Sequence, residues 1–66
     1  MNTVGQKIKS IRRKMGLTQQ EFSESICISQ AHLSMIECDK ENPSKAVIRL
    51  IRILFNVDEA WILAQH

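Results

Sequence analysis

Apolar residues recur near the start of the chain with the period of an amphipathic helix. Val4, Ile8, Ile11 and Met15 are separated by four, three and four residues, so they share one face of a helix. Gly16 follows, and glycine commonly ends a helix because it adopts the left-handed conformation at little cost. The pattern predicts a first helix that buries this face and ends at Gly16.

The next segment begins with the sequence of a capping box. The Thr18 hydroxyl can accept a hydrogen bond from the backbone N–H of Glu21, and the Glu21 carboxylate can accept one from the Thr18 N–H. We therefore expect a second helix that starts near Gln19. Phe22 and Ile26, four residues apart, would lie on its buried face, and the helix would end at or just after Ile26.

A third short helix is predicted close behind the second. Ser29 is a favoured N-cap residue, and Leu33 and Ile36 mark the inward face of a helix over Gln30–Cys38. Two short helices joined by about three residues are typical of a helix-turn-helix, in which the second helix can enter a groove of DNA.

The rest of the chain reads as a loop and two more helices. Residues 38–44 are polar and include the single proline, which predicts a loop. Ser44 can cap a helix over Lys45–Phe55, and Asn56 can close it in the left-handed conformation. Asp58 can cap a last short helix that carries three consecutive apolar residues.

The composition fits one small helical domain. Of the 66 residues, 44% are hydrophobic, with two glycines and one proline. The chain is thus too apolar for disorder and too poor in turn-forming residues for many short strands. We predict an all-α fold, a single domain over residues 1–66, built as a compact bundle of five short helices in which helices two and three form a helix-turn-helix.

Several classes of protein are excluded by the same composition. Cys27 and Cys38 lack zinc-ligand spacing and are too few for a disulfide scaffold, which predicts reduced thiols in the cytoplasm. Uninterrupted apolar runs such as Ile53–Phe55 are far shorter than the roughly 18 residues of a membrane span. The cysteines, the serines, His32 and His66 form no pattern in which one residue orients another. We therefore predict no catalytic residue, metal, cofactor or small-molecule ligand, and no membrane association.

Positive charge is concentrated at the N-terminal end. The formal net charge is +2, yet residues 1–14 carry five cations and no acid, whereas the rest of the chain carries four cations and seven acids. A polarised charge distribution can steer a protein towards phosphate groups. The alternative interpretation is an ordinary solvated helix face.

Residues 17–37, LTQQEFSESICISQAHLSMIE, followed by a loop with Pro43 and an amphipathic helix, resemble the phage-repressor family of lambda repressor and Cro type. The resemblance runs from about Gly5 to Leu63, and over this range the apolar residues and the helix-capping residues stand at the positions where the family has them. It implies a helix-turn-helix protein that binds double-stranded DNA, regulates transcription and most often represses it.

The resemblance also implies which residues contact DNA. The outward side of helix three would read bases, and the start of helix two, the start of helix three and the loop before helix four would bind phosphates. Gln30 could instead be a solvated surface residue, and Met35 could be core filler. The base-reading residues would be Gln30, Ala31, Ser34 and Met35, and the phosphate-binding residues Thr18, Gln19, His32, Lys40, Asn42, Ser44 and Lys45.

An ion pair and two departures also follow from the resemblance. Arg12 and Glu37 match a pair that locks helix three onto helix one in this family, the alternative being two unrelated surface charges. Cys27 and Asp39 stand where the family usually has glycine. Because cysteine tolerates the left-handed conformation less well than aspartate, we expect Cys27 to reshape the turn.

Helix four is more apolar than a small monomer needs. Once Ile48, Ile51 and Phe55 fill the core, several apolar residues are left over, and a symmetric homodimer would bury them. The alternative is that helices one and five cover them. The predicted dimer-interface residues are Val47, Leu50, Ile53, Leu54 and Trp61.

A second function remains open beside DNA binding. The chain could be a protein-interaction or antitoxin-like adaptor that keeps the fold and binds a partner through helix four. Binding to DNA that weakens steeply with salt would favour the regulator, whereas association that persists unchanged at high salt would favour the adaptor.

Overall fold

In the computed structural model, which describes residues 3–64, five helices and no strand are present. They are α1 (Val4–Lys14), α2 (Gln19–Ser25), α3 (Gln30–Glu37), α4 (Lys45–Phe55) and α5 (Glu59–Leu63). The predicted all-α class and the order of five short helices are confirmed. Met1, Asn2, Gln65 and His66 lie outside the described residues.

Side-chain caps determine where the helices begin. The predicted capping box of α2 is present, with the Glu21 N–H donating to Thr18 Oγ1 at 3.1 Å and the Thr18 N–H donating to Glu21 Oε1 at 2.9 Å. Ser29, Ser44 and Asp58 cap α3, α4 and α5 as expected. Each cap satisfies a backbone donor that the first helical turn leaves without a partner.

Left-handed residues separate the helices. Asn56, with φ of 54°, closes α4 as predicted. Cys27 has φ of 62° and Asp39 has φ of 63°, so both adopt the left-handed conformation that glycine adopts most readily. The expectation that Cys27 would reshape the turn is therefore wrong. The Cys27 side chain is exposed, so it displaces no neighbouring residue. The Ile28 N–H donates to the Ser23 carbonyl at 3.0 Å, and this hydrogen bond closes the turn.

One core joins the helices. The Phe22 and Phe55 rings stack with centroids 4.9 Å apart, which fixes α2 against α4. Val47, predicted to be left over for a dimer, is instead a core residue only 6% exposed, because its position on α4 faces the bundle. The buried apolar residues are Ile8, Ile11, Phe22, Ile26, Leu33, Ile36, Val47, Ile48, Ile51 and Ile62.

Candidate nucleic-acid interface

The outward side of α3 carries the four predicted base-reading residues. They occupy positions i, i+1, i+4 and i+5 of one helix and therefore form a single stripe. Gln30 and Ala31 are exposed, Ser34 is half-buried and Met35 is 41% exposed. The burial of Leu33 and Ile36 on the other side keeps this stripe towards solvent.

A buried ion pair connects α3 to α1. Arg12 Nε donates to Glu37 Oε2 at 2.8 Å, and Arg12 Nη2 donates to Glu37 Oε1 at 3.2 Å. The Glu37 side chain is 2% exposed and that of Arg12 is 12% exposed, so the charges are shielded from water. Arg12 Nη1 also donates to the Leu17 carbonyl at 3.0 Å, which ties the pair to the start of the helix-turn-helix.

Gln19 joins this pair rather than projecting freely. Its side-chain nitrogen donates to Glu37 Oε1 at 3.1 Å, and the residue is half-buried. Glu37 therefore accepts three hydrogen bonds, which is what a buried carboxylate needs. The phosphate contact of Gln19 stays a prediction, with its amide nitrogen already engaged within the protein.

The sequence did not predict two further contacts between the start of α1 and the end of α3. The Thr3 hydroxyl donates to Asp39 Oδ1 at 2.6 Å, which links the N-cap of α1 to the end of α3. A Cβ atom on Gly5 would lie well inside contact distance of the Ile36 carbonyl oxygen and 2.6 Å from Asp39 Oδ1. Glycine thus permits a close approach of the two helices. The spacing of Thr3 and Gln6 does mark Thr3 as the N-cap of α1, and the two residues form that capping box, but nothing in the spacing indicates the bond to Asp39.

The predicted phosphate-binding residues lie on either side of α3. Thr18 is exposed at the start of α2, and Lys40, Asn42, Ser44 and Lys45 are exposed in the loop and at the start of α4. The Ser44 hydroxyl also accepts from the Val47 N–H at 3.2 Å. The loop and the first residue of α4 therefore expose two cations and two neutral polar groups, next to the exposed acids Asp39 and Glu41.

The structure places His32 beside an acid. His32 Nδ1 lies 2.8 Å from Glu41 Oε2, and both side chains are about two-fifths exposed. A carboxylate this close competes with a phosphate for the imidazole. The phosphate contact of His32 stays a prediction that requires this pair to open.

The N-terminal basic cluster is smaller on the surface than its sequence indicated. Lys7 is 4% exposed, and its Nζ donates to the carbonyl oxygens of Trp61, at 2.8 Å, and Ala64. It therefore satisfies the end of α5 rather than facing an anion. Its spacing of three from Val4 and four from Ile11 places it on the buried face, a signal that the sequence contained.

One carboxylate shows a clear electrostatic effect. The pKa of Glu21 lies below its ordinary value of 4.5, chiefly because the backbone N–H of Thr18, and then its hydroxyl group, hydrogen-bond the carboxyl. The charged form of Glu21 also suits the positive end of the α2 dipole.

The remaining predicted dimer residues differ in exposure. Leu50 is half-buried against the core, whereas Ile53 and Leu54 are 63% and 51% exposed. Trp61 is 45% exposed and lies beside α1, with its ring 5.3 Å from Lys7 Nζ. The apolar surface that α4 offers a partner is therefore centred on Ile53 and Leu54.

Two observations concern other kinds of site. Within residues 3–64, no three His, Cys, Asp or Glu side chains come together as metal ligands would. Across the same range, every helix is too short or too polar to span a bilayer.

Comparison with known proteins identifies the family. Residues 8–62 match the family described as Helix-turn-helix, a range that covers all of α2 to α4 and most of α1. The chain belongs to this helix-turn-helix family. The resemblance seen in residues 17–37 is thereby confirmed.

Two relatives are named as regulators. The chain is 41% identical over 64 residues to the immunity repressor protein of Bacillus phage phi105, which covers 97% of the chain and 44% of that protein. It is 30% identical over 63 residues to the HTH-type transcriptional regulator ImmR of Bacillus subtilis, which covers 96% of the chain and 50% of that protein. The chain thus spans about half the length of these relatives.

Two solved structures share the fold. The P22 c2 repressor, solved in complex with a synthetic operator, superposes with a TM-score of 0.86 at 16% identity and covers 96% of both chains. SinR, solved in complex with SinI, superposes with a TM-score of 0.85 at 26% identity and covers 96% of this chain and 62% of that one. The five-helix arrangement is therefore that of the P22 c2 repressor and of SinR.

Proposed function

We propose that this chain is a sequence-specific DNA-binding domain that regulates transcription, as a repressor, by placing α3 in the major groove of double-stranded DNA. The observation that carries the proposal is the exposed stripe of α3 held in place by the buried Arg12–Glu37 pair. The family membership and the repressor relatives support it. A DNA target and the two exposed thiols also fit a reducing cytoplasm.

Each residue of the stripe would have a separate part in reading the operator. Gln30 can form a bidentate pair with adenine, and Ala31 and Met35 can pack against thymine methyl groups. The Ser34 hydroxyl both donates and accepts, so it tolerates several bases. This set favours half-sites rich in A·T pairs.

Phosphate contacts would fix the register of α3 on the duplex. The backbone N–H groups in the first turn of α2, which precedes α3, can donate to a phosphate. Lys40 and Lys45, which follow α3 in the sequence, can neutralise others. Each cation that neutralises a phosphate adds affinity and about one unit to the salt dependence of binding.

A homodimer would supply the second half of the contact area. One α3 offers four base-reading residues, whereas two copies related by a two-fold axis would place their α3 helices about 34–36 Å apart, one turn of the duplex. Ile53 and Leu54, exposed on α4, support this assembly, with Leu50 and Trp61 at its edges. The operator would then be an inverted repeat with half-sites centred about 10 base pairs apart.

The proposal is tested by comparing a base contact with a phosphate contact. An operator selected from random duplexes by the purified chain is titrated with Gln30→Ala and, as the matched control, Lys45→Ala. We expect Gln30→Ala to weaken operator binding by about 1–3 kcal/mol and to leave binding to a scrambled duplex unchanged. Lys45→Ala should weaken binding to both duplexes, and the slope of log affinity against log salt concentration should fall by about one. Equal losses on both duplexes for Gln30→Ala would contradict the reading role of α3.

A further inference from the structure

A cleft of about 320 Å³ lies between the end of α1 and the start of α5. Its apolar walls come from Ile11, Met15, Val57 and Trp61. Met15 and Trp61 are 48% and 45% exposed, so the two largest apolar side chains of the cleft are open to solvent. The cleft therefore offers a concave apolar surface that the fold itself does not fill.

A basic surface continues directly from this cleft. Gln6, Lys9, Ser10, Arg13 and Lys14 line a shallow, open groove along one face of α1. Ser10 and Lys14 also line the cleft, so the groove and the cleft form one surface. We call it the α1–α5 surface.

The cations of this surface have no acidic partner in the described part of the chain. The two salt bridges found in residues 3–64 involve neither Lys9, Arg13 nor Lys14. The one carboxylate on the surface is Asp58, which caps α5 by accepting from the Ala60 N–H at 3.0 Å. Three cations against one engaged carboxylate make the surface complementary to an acidic partner.

The apolar wall is held in place before any partner arrives. Lys7 Nζ donates to the Trp61 carbonyl at 2.8 Å and lies 5.3 Å from the centre of the Trp61 ring. A cation over an indole ring restrains it, and a restrained ring loses less entropy when a ligand packs against it.

We propose that the α1–α5 surface is a docking site for an acidic peptide segment of another protein, which inserts an apolar side chain between Met15 and Trp61 and places carboxylates on Lys9, Arg13 and Lys14. In the proposed homodimer a second copy would reach this surface only at its Trp61 edge, because a symmetric contact over the whole surface would bring the same cations against one another. A duplex would bring phosphates to the cations but leave the apolar cleft unfilled, because the thymine methyl groups lie inside the major groove. All residues of the surface lie outside α2, the turn and α3, so the site is separate from the proposed DNA interface.

The test uses Trp61, which is the only tryptophan of the chain, as the reporter. The probe is a synthetic peptide with glutamates flanking a central pair of leucines, titrated into the full chain while the Trp61 emission is recorded. We expect a saturable blue shift because a leucine side chain would exclude water from the indole. Arg13→Glu should weaken binding at least about tenfold, whereas Arg49→Glu, the same change on exposed α4, should leave it within about twofold.

Four outcomes would overturn the proposal. These are no change in emission, an Arg13→Glu variant that binds as well as the parent, and equal binding of a peptide whose leucines are replaced by serine. The fourth is displacement of the peptide by an unrelated DNA duplex, which would assign the basic surface to nucleic acid. Circular dichroism of the Arg13→Glu variant checks that it remains folded.

Discussion

Replacing Arg12 by methionine tests whether the buried ion pair holds the domain together. The change removes two hydrogen bonds to Glu37 and one to the Leu17 carbonyl, and leaves Glu37, 5% exposed, with only the Gln19 amide as a partner. Breaking a buried pair from one side costs about 3–5 kcal/mol, because the remaining charge stays desolvated. A domain of 66 residues has a total stability of about 3–10 kcal/mol. Arg12→Met should therefore remove a large part of the free energy of unfolding of the domain.

The measurement is urea denaturation followed by far-ultraviolet circular dichroism, with Arg13→Met as the matched control. Arg13 is exposed one position further along the same helix, so its replacement should change the stability by less than about 0.5 kcal/mol. In the double variant Arg12→Met/Glu37→Met no charge is buried, and most of the loss should be recovered. Equal midpoints for Arg12→Met and Arg13→Met, or a double variant less stable than Arg12→Met, would refute this reasoning.

Three further variants probe packing, pH dependence and assembly. Gly5→Ala should destabilise by about 1–3 kcal/mol in thermal melts despite the better helix propensity of alanine, because its Cβ would meet the Ile36 carbonyl, whereas exposed Ser10→Ala should be neutral. Because the pKa of Glu21 is lowered on folding, its contribution is complete above its ordinary pKa of 4.5 and is lost as pH falls below that value. Glu21→Gln should therefore flatten the dependence of melting temperature on pH as the pH falls below about 4.5. Ile53→Glu should sediment as a monomer, bind a full operator more weakly than the unsubstituted chain does, and bind a half-site equally well. An unsubstituted chain that binds the operator as a monomer would contradict the dimer.

The elements of the fold were predictable because their ends are encoded locally. A hydroxyl or carboxylate followed by an apolar period fixes the start of a helix within one turn, and the structure begins α2, α3 and α4 at the expected residues. Gly16 and Asn56 were also visible as left-handed positions, whereas Cys27 shows that the tertiary structure can impose this conformation on a residue that disfavours it.

The errors came from contacts between distant parts of the chain. Val47 and Leu54 are seven residues apart and share one face of α4, yet Val47 is 6% exposed and Leu54 is 51% exposed. Which end of that face the other helices cover is not given by the apolar period of α4. Lys7 was counted as a surface cation because a lysine is almost never buried without a partner, and its partners are carbonyls that α5 provides more than fifty residues later. A periodic pattern of apolar residues shows which face of a helix is apolar, but it does not show which other part of the chain covers that face.

The direction in which α3 points depends on α1, although no residue of α1 is proposed to touch a base. Near its start Gly5 sets the distance to the Ile36 carbonyl, and near its end Arg12 holds Glu37. Thr3 adds a hydrogen bond to Asp39, just beyond α3. Two or more separated contacts fix the angle between helices, which one contact cannot do. Operator recognition requires base contacts placed to within a fraction of an ångström. Loosening any of these contacts should therefore lower specificity before it abolishes non-specific affinity, since phosphate contacts tolerate small changes in angle better than bidentate base contacts do.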